Sequence, residues 1–199
     1  MLPKPHRPFT LLAAAMLLTA FGGVSYAETP AATAGPGVRD GSHDFDFEMG
    51  KWKMHNRRLA KKFAGSHDWM EFESYSEGSL LPGGMGNQDV YRTDFFKKGF
   101  VGLTYRLYDP RTGLWSIYWV DNLSMQGTFL PPVVGKFTGN VGVFEGPDTY
   151  DGKPIVVRYT WTVNPKGSPV TAHFEQAFSA DGGKTWETNF TNDLTPAGK

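Results

Sequence analysis

The sequence predicts an all-β protein, an antiparallel up-and-down barrel of about eight to ten strands with a short N-terminal helical turn. Three observations lead there. After residue 27 the chain carries 26 aromatics against 23 Ile, Leu and Val, and a core richer in aromatics than in branched aliphatics favours strands over helices. From Gly50 onward apolar and polar residues alternate at period two between Gly, Pro, Asn and Asp, the pattern of strands joined by tight turns. Only His43 to Met49, HDFDFEM, has the spacing of a helical turn. Closing such a meander on itself leaves no strand edge unpaired.

The first element is a leader. Lys4 and Arg7 precede an apolar run from Leu11 to Phe21, and Ser25-Tyr26-Ala27 follows with small residues flanking a cut. That order is the pattern of a secretory signal, residues 1–27, cleaved after Ala27. The apolar run is about half the roughly 20 residues that a spanning helix requires. A periplasmic or secreted protein with no membrane anchor after cleavage is expected. The chain has 0 Cys, which removes a lipidated cysteine, a disulfide, a thiolate nucleophile and a Cys-ligated zinc. Beyond residue 27 there are 18 basic and 20 acidic side chains, so charge gives no reason to expect nucleic acid.

Residues 28–42, ETPAATAGPGVRDGS, hold almost nothing to bury and read as a disordered spacer. The remaining residues, 43–199, make one domain, large enough to bury about 70% of the unfolded chain's surface without staples. The helical turn at its start leads into strand segments near 51–63, 68–80, 88–97, 99–108, 114–122, 133–145 and 154–163, and 170–192 folds as a final hairpin. Asp109-Pro110-Arg111-Thr112-Gly113 is a strong turn, with Pro fixing φ at one corner and Gly supplying the left-handed position at the last. Asn164-Pro165-Lys166-Gly167 is another, and Gly83-Gly84-Met85-Gly86 reads as a turn at the barrel rim.

Phe47-Glu48-Met49-Gly50-Lys51-Trp52 resembles the opening of lipocalin-like (calycin) barrels, in which a short helical turn leads into a strand beginning Gly-x-Trp. The resemblance implies that Trp52 closes one end and that a ligand cup opens at the other. FDFEMGKWKMHNRRL, LTYRLYDPRTGLWSIYW and FEQAFSADGGKTWETNF are also similar to a group of bacterial proteins of unknown function with such a barrel. That similarity covers most of the mature chain and brings no chemistry with it. Some small calycin barrels hold haem through a strand histidine, and His173 is the candidate that this parallel offers. Ser179 to Trp186 matches the S-x-D-x-G-x-x-W Asp-box of sialidase-like β-propellers. There the motif recurs once per blade; one copy here reads as a hairpin turn in which Asp181 accepts backbone N–H bonds and Trp186 packs beneath.

Chemical templates are sparse. His43, His55, His67 and His173 lack metal-ligand spacing, so no metal and no cofactor are expected. Glu145, Asp148 and Asp151 share one acidic loop without EF-hand spacing. On the first hairpin Lys51, Lys53, Arg57, Arg58, Lys61 and Lys62 on the first strand should face Glu71, Glu73 and Glu77 on the second, as an outer surface.

The cup lining depends on register. If Pro110 to Gly113 form a four-residue loop, Arg106 shares a face with Trp115, Trp119 and Asp121. If the loop takes five residues, Leu103, Tyr105 and Leu107 join the Trp face and Arg106 turns to solvent. Apolarity places Trp161 and Gln176 inside; Arg158, Glu175 and Asn189 are then either surface residues or a buried polar network. The site residues expected are Arg106, Trp115, Trp119, Asp121, Trp161 and Gln176, holding a small hydrophobic or aromatic ligand between tryptophan walls. Two other readings stand beside this binding module. One is an enzyme using Asp121 or Glu175 as base and Arg106 or Arg158 as anion stabiliser; the other is an envelope interaction protein marked by a large exposed apolar patch.

Overall fold

The computed structural model describes residues 37–124, 127–164, 166 and 170–198; the expected signal and most of the expected spacer lie outside these. Among the described residues ten strands follow one another: β1 (Gly50–Leu59), β2 (Trp69–Leu80), β3 (Gly86–Thr93), β4 (Phe100–Asp109), β5 (Leu114–Asp121), β6 (Val133–Thr138), β7 (Val141–Tyr150), β8 (Lys153–Asn164), β9 (Thr171–Ser179) and β10 (Glu187–Pro196). Each pairs antiparallel with its chain neighbours, and β1 pairs with β10. The sheet is therefore a closed up-and-down barrel, as the alternation predicts, and no strand is left as an edge.

Two stretches differ from the expectation. Residues 133–145 are not one strand, because Gly139-Asn140 forms a two-residue turn that sets Thr138 opposite Val141. Glu145 and Asp148 consequently lie within β7 rather than in an acidic loop. Asp151 and Gly152 make the next turn with φ of 51° and 73°, the conformation for which Asp-Gly hairpins are favoured.

One end of the barrel is plugged. A 3₁₀ turn, Asp46–Glu48, follows Phe45, which is completely buried with its ring centroid 5.1 Å from those of both Trp115 and Phe137. The turn docks directly onto β2 at Gly78, where a Cβ would lie 2.0 Å from the Glu48 carbonyl oxygen; no other residue fits that approach. Trp52 Nε1 donates to the same carbonyl at 3.2 Å, so Trp52 sits at the plugged end. Gly41, placed in the spacer by composition, donates its N–H to Tyr108 Oη at 2.7 Å and accepts from Trp115 Nε1 at 3.0 Å.

On the outer face, Lys53 lies 3.3 Å from Glu73 and Arg57 lies 3.3 Å from Glu71. Such exposed pairs contribute roughly a few tenths of a kcal/mol each. Arg58, expected on the same surface, lines the cavity instead, because neighbours along a strand point to opposite faces. The Asp-box forms the β9–β10 turn. Asp181 accepts from the Thr185 hydroxyl at 2.6 Å, from the Thr185 and Lys184 N–H groups at 2.9 and 3.0 Å, and from the Ser179 hydroxyl at 2.7 Å. These bonds, led by those from Thr185, hold its carboxyl well below the usual carboxylate range. An Asp181→Ala variant is expected to melt at a lower temperature. Because the native pKa is depressed, the deficit should be undiminished from pH 8 to 5 and should shrink only in strong acid, as protonation of the native carboxylate removes the same bonds. Superimposable melting curves at pH 7 would show that the turn holds itself without Asp181.

Candidate functional site

The turn after β4 settles the register of the cup. Asp109 pairs with Leu114, leaving Pro110 to Gly113 as a four-residue loop closed by Gly113 N–H donating to Asp109 O at 2.8 Å. Arg106 then stands opposite Ile117, Thr104 opposite Trp119 and Gly102 opposite Asp121, and residues opposite each other share a face. Arg106 therefore turns inward and is only 3% exposed. Between the plug and the open end lies a cavity of about 360 Å³, toward the lower end of the roughly 300–1,000 Å³ typical of small-molecule sites.

Five of the six site residues expected from the sequence line this cavity: Arg106, Trp119, Asp121, Trp161 and Gln176. Trp115 does not. It faces inward as expected but is fully buried under the floor, packed on Phe45 and donating to Gly41. Periodicity tells which face a residue takes and not its depth along the barrel, so Trp115 belongs to the plug and the other two tryptophans to the wall.

Each wall residue is fixed by a local cause. Trp119 lies across β4 because Gly102 has no side chain; a Cβ there would stand 2.1 Å from the indole ring. Its edge meets Tyr91 at 5.9 Å and its Nε1 donates to Asp121 at 2.9 Å. Asp121 in turn accepts from the N–H groups of Leu123 and Ser124 at 2.9 and 2.7 Å. Burial pushes the Asp121 carboxyl up, but the donors from Ser124, Trp119 and Leu123 outweigh it and hold the group below the usual carboxylate range. Gln176 donates to Asn189 Oδ1 at 2.8 Å. Asn189 reaches the interior because the β10 register shifts between Thr188 and Phe190, a bulge that turns one extra side chain inward.

Arg158 and Glu175 take the other side of the question left open by apolarity. Arg158 lies outside the barrel, 2.7 Å from Glu145 and stacked 3.7 Å above the Trp186 ring. Glu175 is also outside, 3.2 Å from His173, which pairs with Asp193 at 2.7 Å. His173 thus faces away from the cup and holds nothing inside it. His55 is likewise engaged on the outer face, 3.0 Å from Glu73.

Two residues of the interior are illegible to pattern reading. Asp89 lines the cavity, 2.7 Å from Arg106 Nη2, and accepts from Ser76 Oγ at 3.1 Å. Glu48, completely buried in the plug, has Oε1 3.5 Å from the same Nη2. Arg106 Nη1 also donates to Asn87 at 3.2 Å, and its Cζ lies 5.0 Å over the Phe45 ring. One guanidinium thus faces two buried carboxyls. Burial pushes the Glu48 carboxyl up to about 7, with Arg106 opposing the rise and the Asp89 charge adding to it. On β3 the buried face is that of Asn87, Asp89 and Tyr91, two polar side chains beside one aromatic.

The fold and site together define a closed antiparallel β-barrel with an aromatic cup over a buried ion cluster. No protein-family model and no curated protein matches the chain.

Proposed function

We propose that this chain is an exported small-molecule-binding protein that holds a partly apolar ligand in its barrel cup. The observation that carries this reading is the cavity of about 360 Å³, whose wall joins Trp119, Phe100, Tyr159, Phe174 and Phe190 to a few fixed polar groups. Aromatic walls with sparse, placed polar atoms are the usual make-up of such sites. Export rests on the basic, apolar and small-residue order of residues 1–27, and the Gly50-Lys51-Trp52 resemblance to lipocalin-like barrels supports a cup open at one end. The carboxylates considered as bases fit catalysis less well. Asp121 is held below the usual carboxylate range, whereas general-base work at neutral pH is best served by a pKa near 7. Glu175 sits outside the barrel.

Titrating the mature protein with naphthalene while following tryptophan fluorescence is expected to give a saturable one-to-one change. Trp119→Ala should weaken binding by about tenfold, in keeping with loss of an aromatic wall of the cup. A strictly linear response, or a saturable one unmoved by Trp119→Ala, would sink this reading.

A further inference from the structure

Apart from Asp89 Oδ1, which lies 2.7 Å from Arg106 Nη2, three polar atoms of cavity-lining residues have no hydrogen-bond partner among the described residues: Arg106 Nε, Trp161 Nε1 and Asn192 Oδ1. Their side chains are 3%, 5% and 6% exposed, and all three residues line the cavity. Buried polar groups without partners are uncommon and costly. They also share one region. Trp161 pairs with Phe174 across β8 and β9, Phe174 pairs with Asn192 across β9 and β10, and Arg106 Cζ lies 5.8 Å from the Trp161 ring centroid. The set left without a partner is thus two N–H donors and one carbonyl acceptor, each atom itself buried, on residues that line an aromatic cup.

Charge decides which head group suits them. A lone buried arginine would call for an anion, but this guanidinium already has Asp89 2.7 Å away and Glu48 at 3.5 Å. The cluster therefore holds no surplus positive charge for a ligand carboxylate or phosphate. Such a group would have to be desolvated beside Asp89, which is 3% exposed, and two like charges in one dry site repel strongly. A cation would meet the guanidinium itself.

We infer that the cup takes an uncharged aromatic or heteroaromatic molecule whose head presents a carbonyl-type acceptor to Arg106 Nε and Trp161 Nε1 and an N–H or O–H donor to Asn192 Oδ1. A cavity of about 360 Å³ has room for one or two fused rings. The inference rests on the binding reading above and deepens it by naming the ligand class.

Three bicyclic probes separate the two claims by isothermal titration calorimetry at pH 7: naphthalene, 2-naphthoate, and quinolin-2(1H)-one, a neutral lactam with adjacent C=O and N–H. The lactam is expected to bind about tenfold more tightly than naphthalene, the return from one or two neutral hydrogen bonds, and naphthoate more weakly than either. Trp161→Phe keeps an aromatic ring in the wall and removes the indole donor; it should weaken the lactam by clearly more than it weakens naphthalene, so that most of the lactam's advantage is lost. Naphthoate binding most tightly, or naphthalene matching the lactam, overturns the inference and leaves the binding reading standing. Failure of all three to bind overturns both.

Discussion

Replacing Arg106 with methionine is expected to lower folding stability by about 3–5 kcal/mol, the range seen when one partner is removed from a buried ion pair. Methionine keeps most of the stem that crosses Phe45 and removes the cation. Asp89 would then remain almost fully buried with Ser76 as its hydrogen-bond donor, and Asn87 would lose the donor on its Oδ1. The cost arises from the stranded carboxylate rather than from a lost attraction, and two further results follow. The double variant Arg106→Met with Asp89→Asn should recover half or more of the loss, since it removes the orphaned charge. Lysine at 106 should be a poor substitute, because a point charge cannot reproduce the fork that meets Asn87 and Asp89 together. Urea unfolding of the four proteins at constant pH reads this directly. A single-variant loss below about 1 kcal/mol would show that the cluster is hydrated and that its charges do not need each other.

The same cluster marks the limit of what the residues disclose before folding. The barrel is legible because its information is local: period-two alternation, Pro and Gly at the corner after Asp109, and Asp-Gly before Lys153 each specify a piece of backbone. The face of Arg106 was legible only as a choice between two loop lengths, since a slip of one residue exchanges every side chain between core and solvent. Hydrogen bonds from Thr112 and Gly113 to Asp109 O make the shorter loop. The Gly139-Asn140 turn carries a hairpin signal of its own, and reading across it merged β6 with β7. What the pattern conceals is the inward set of Asp89, Asn189 and Glu48. An apolarity rule sends charged and amide side chains outward, so it fails where a core is deliberately polar or where a bulge turns an extra residue in. Those failures coincide with the floor and wall of the cup, as expected if local rules are broken chiefly where a site is built.

Stability should fall as pH rises from about 5 to 8, and Glu48→Gln should abolish most of that fall. In the unfolded chain Glu48 ionises near its ordinary 4.5, whereas in the barrel it ionises near 7. Between those values the native state keeps a proton that the unfolded state has released, so the unfolded state gains relative to the native one as pH increases. The stabilisation from this group is fully present below about pH 4.5 and is lost as pH passes through about 7, a total of about 3 kcal/mol. Glutamine has the shape of the protonated acid and no proton to lose. Wild type and Glu48→Gln should therefore be separated by a small, constant offset below about pH 4.5 and diverge from there toward pH 8, the variant becoming the more stable protein. Chemical denaturation at each pH checks this, and parallel curves across the range would mean that Glu48 is ionised throughout. Asp89→Asn supplies the mechanistic control. Because the Asp89 charge helps hold Glu48 protonated, its removal leaves Arg106 with one carboxyl to satisfy, lowers the Glu48 pKa, and moves the decline in stability toward acid. A decline unmoved by Asp89→Asn would assign the Glu48 proton to burial, with no contribution from the Asp89 charge.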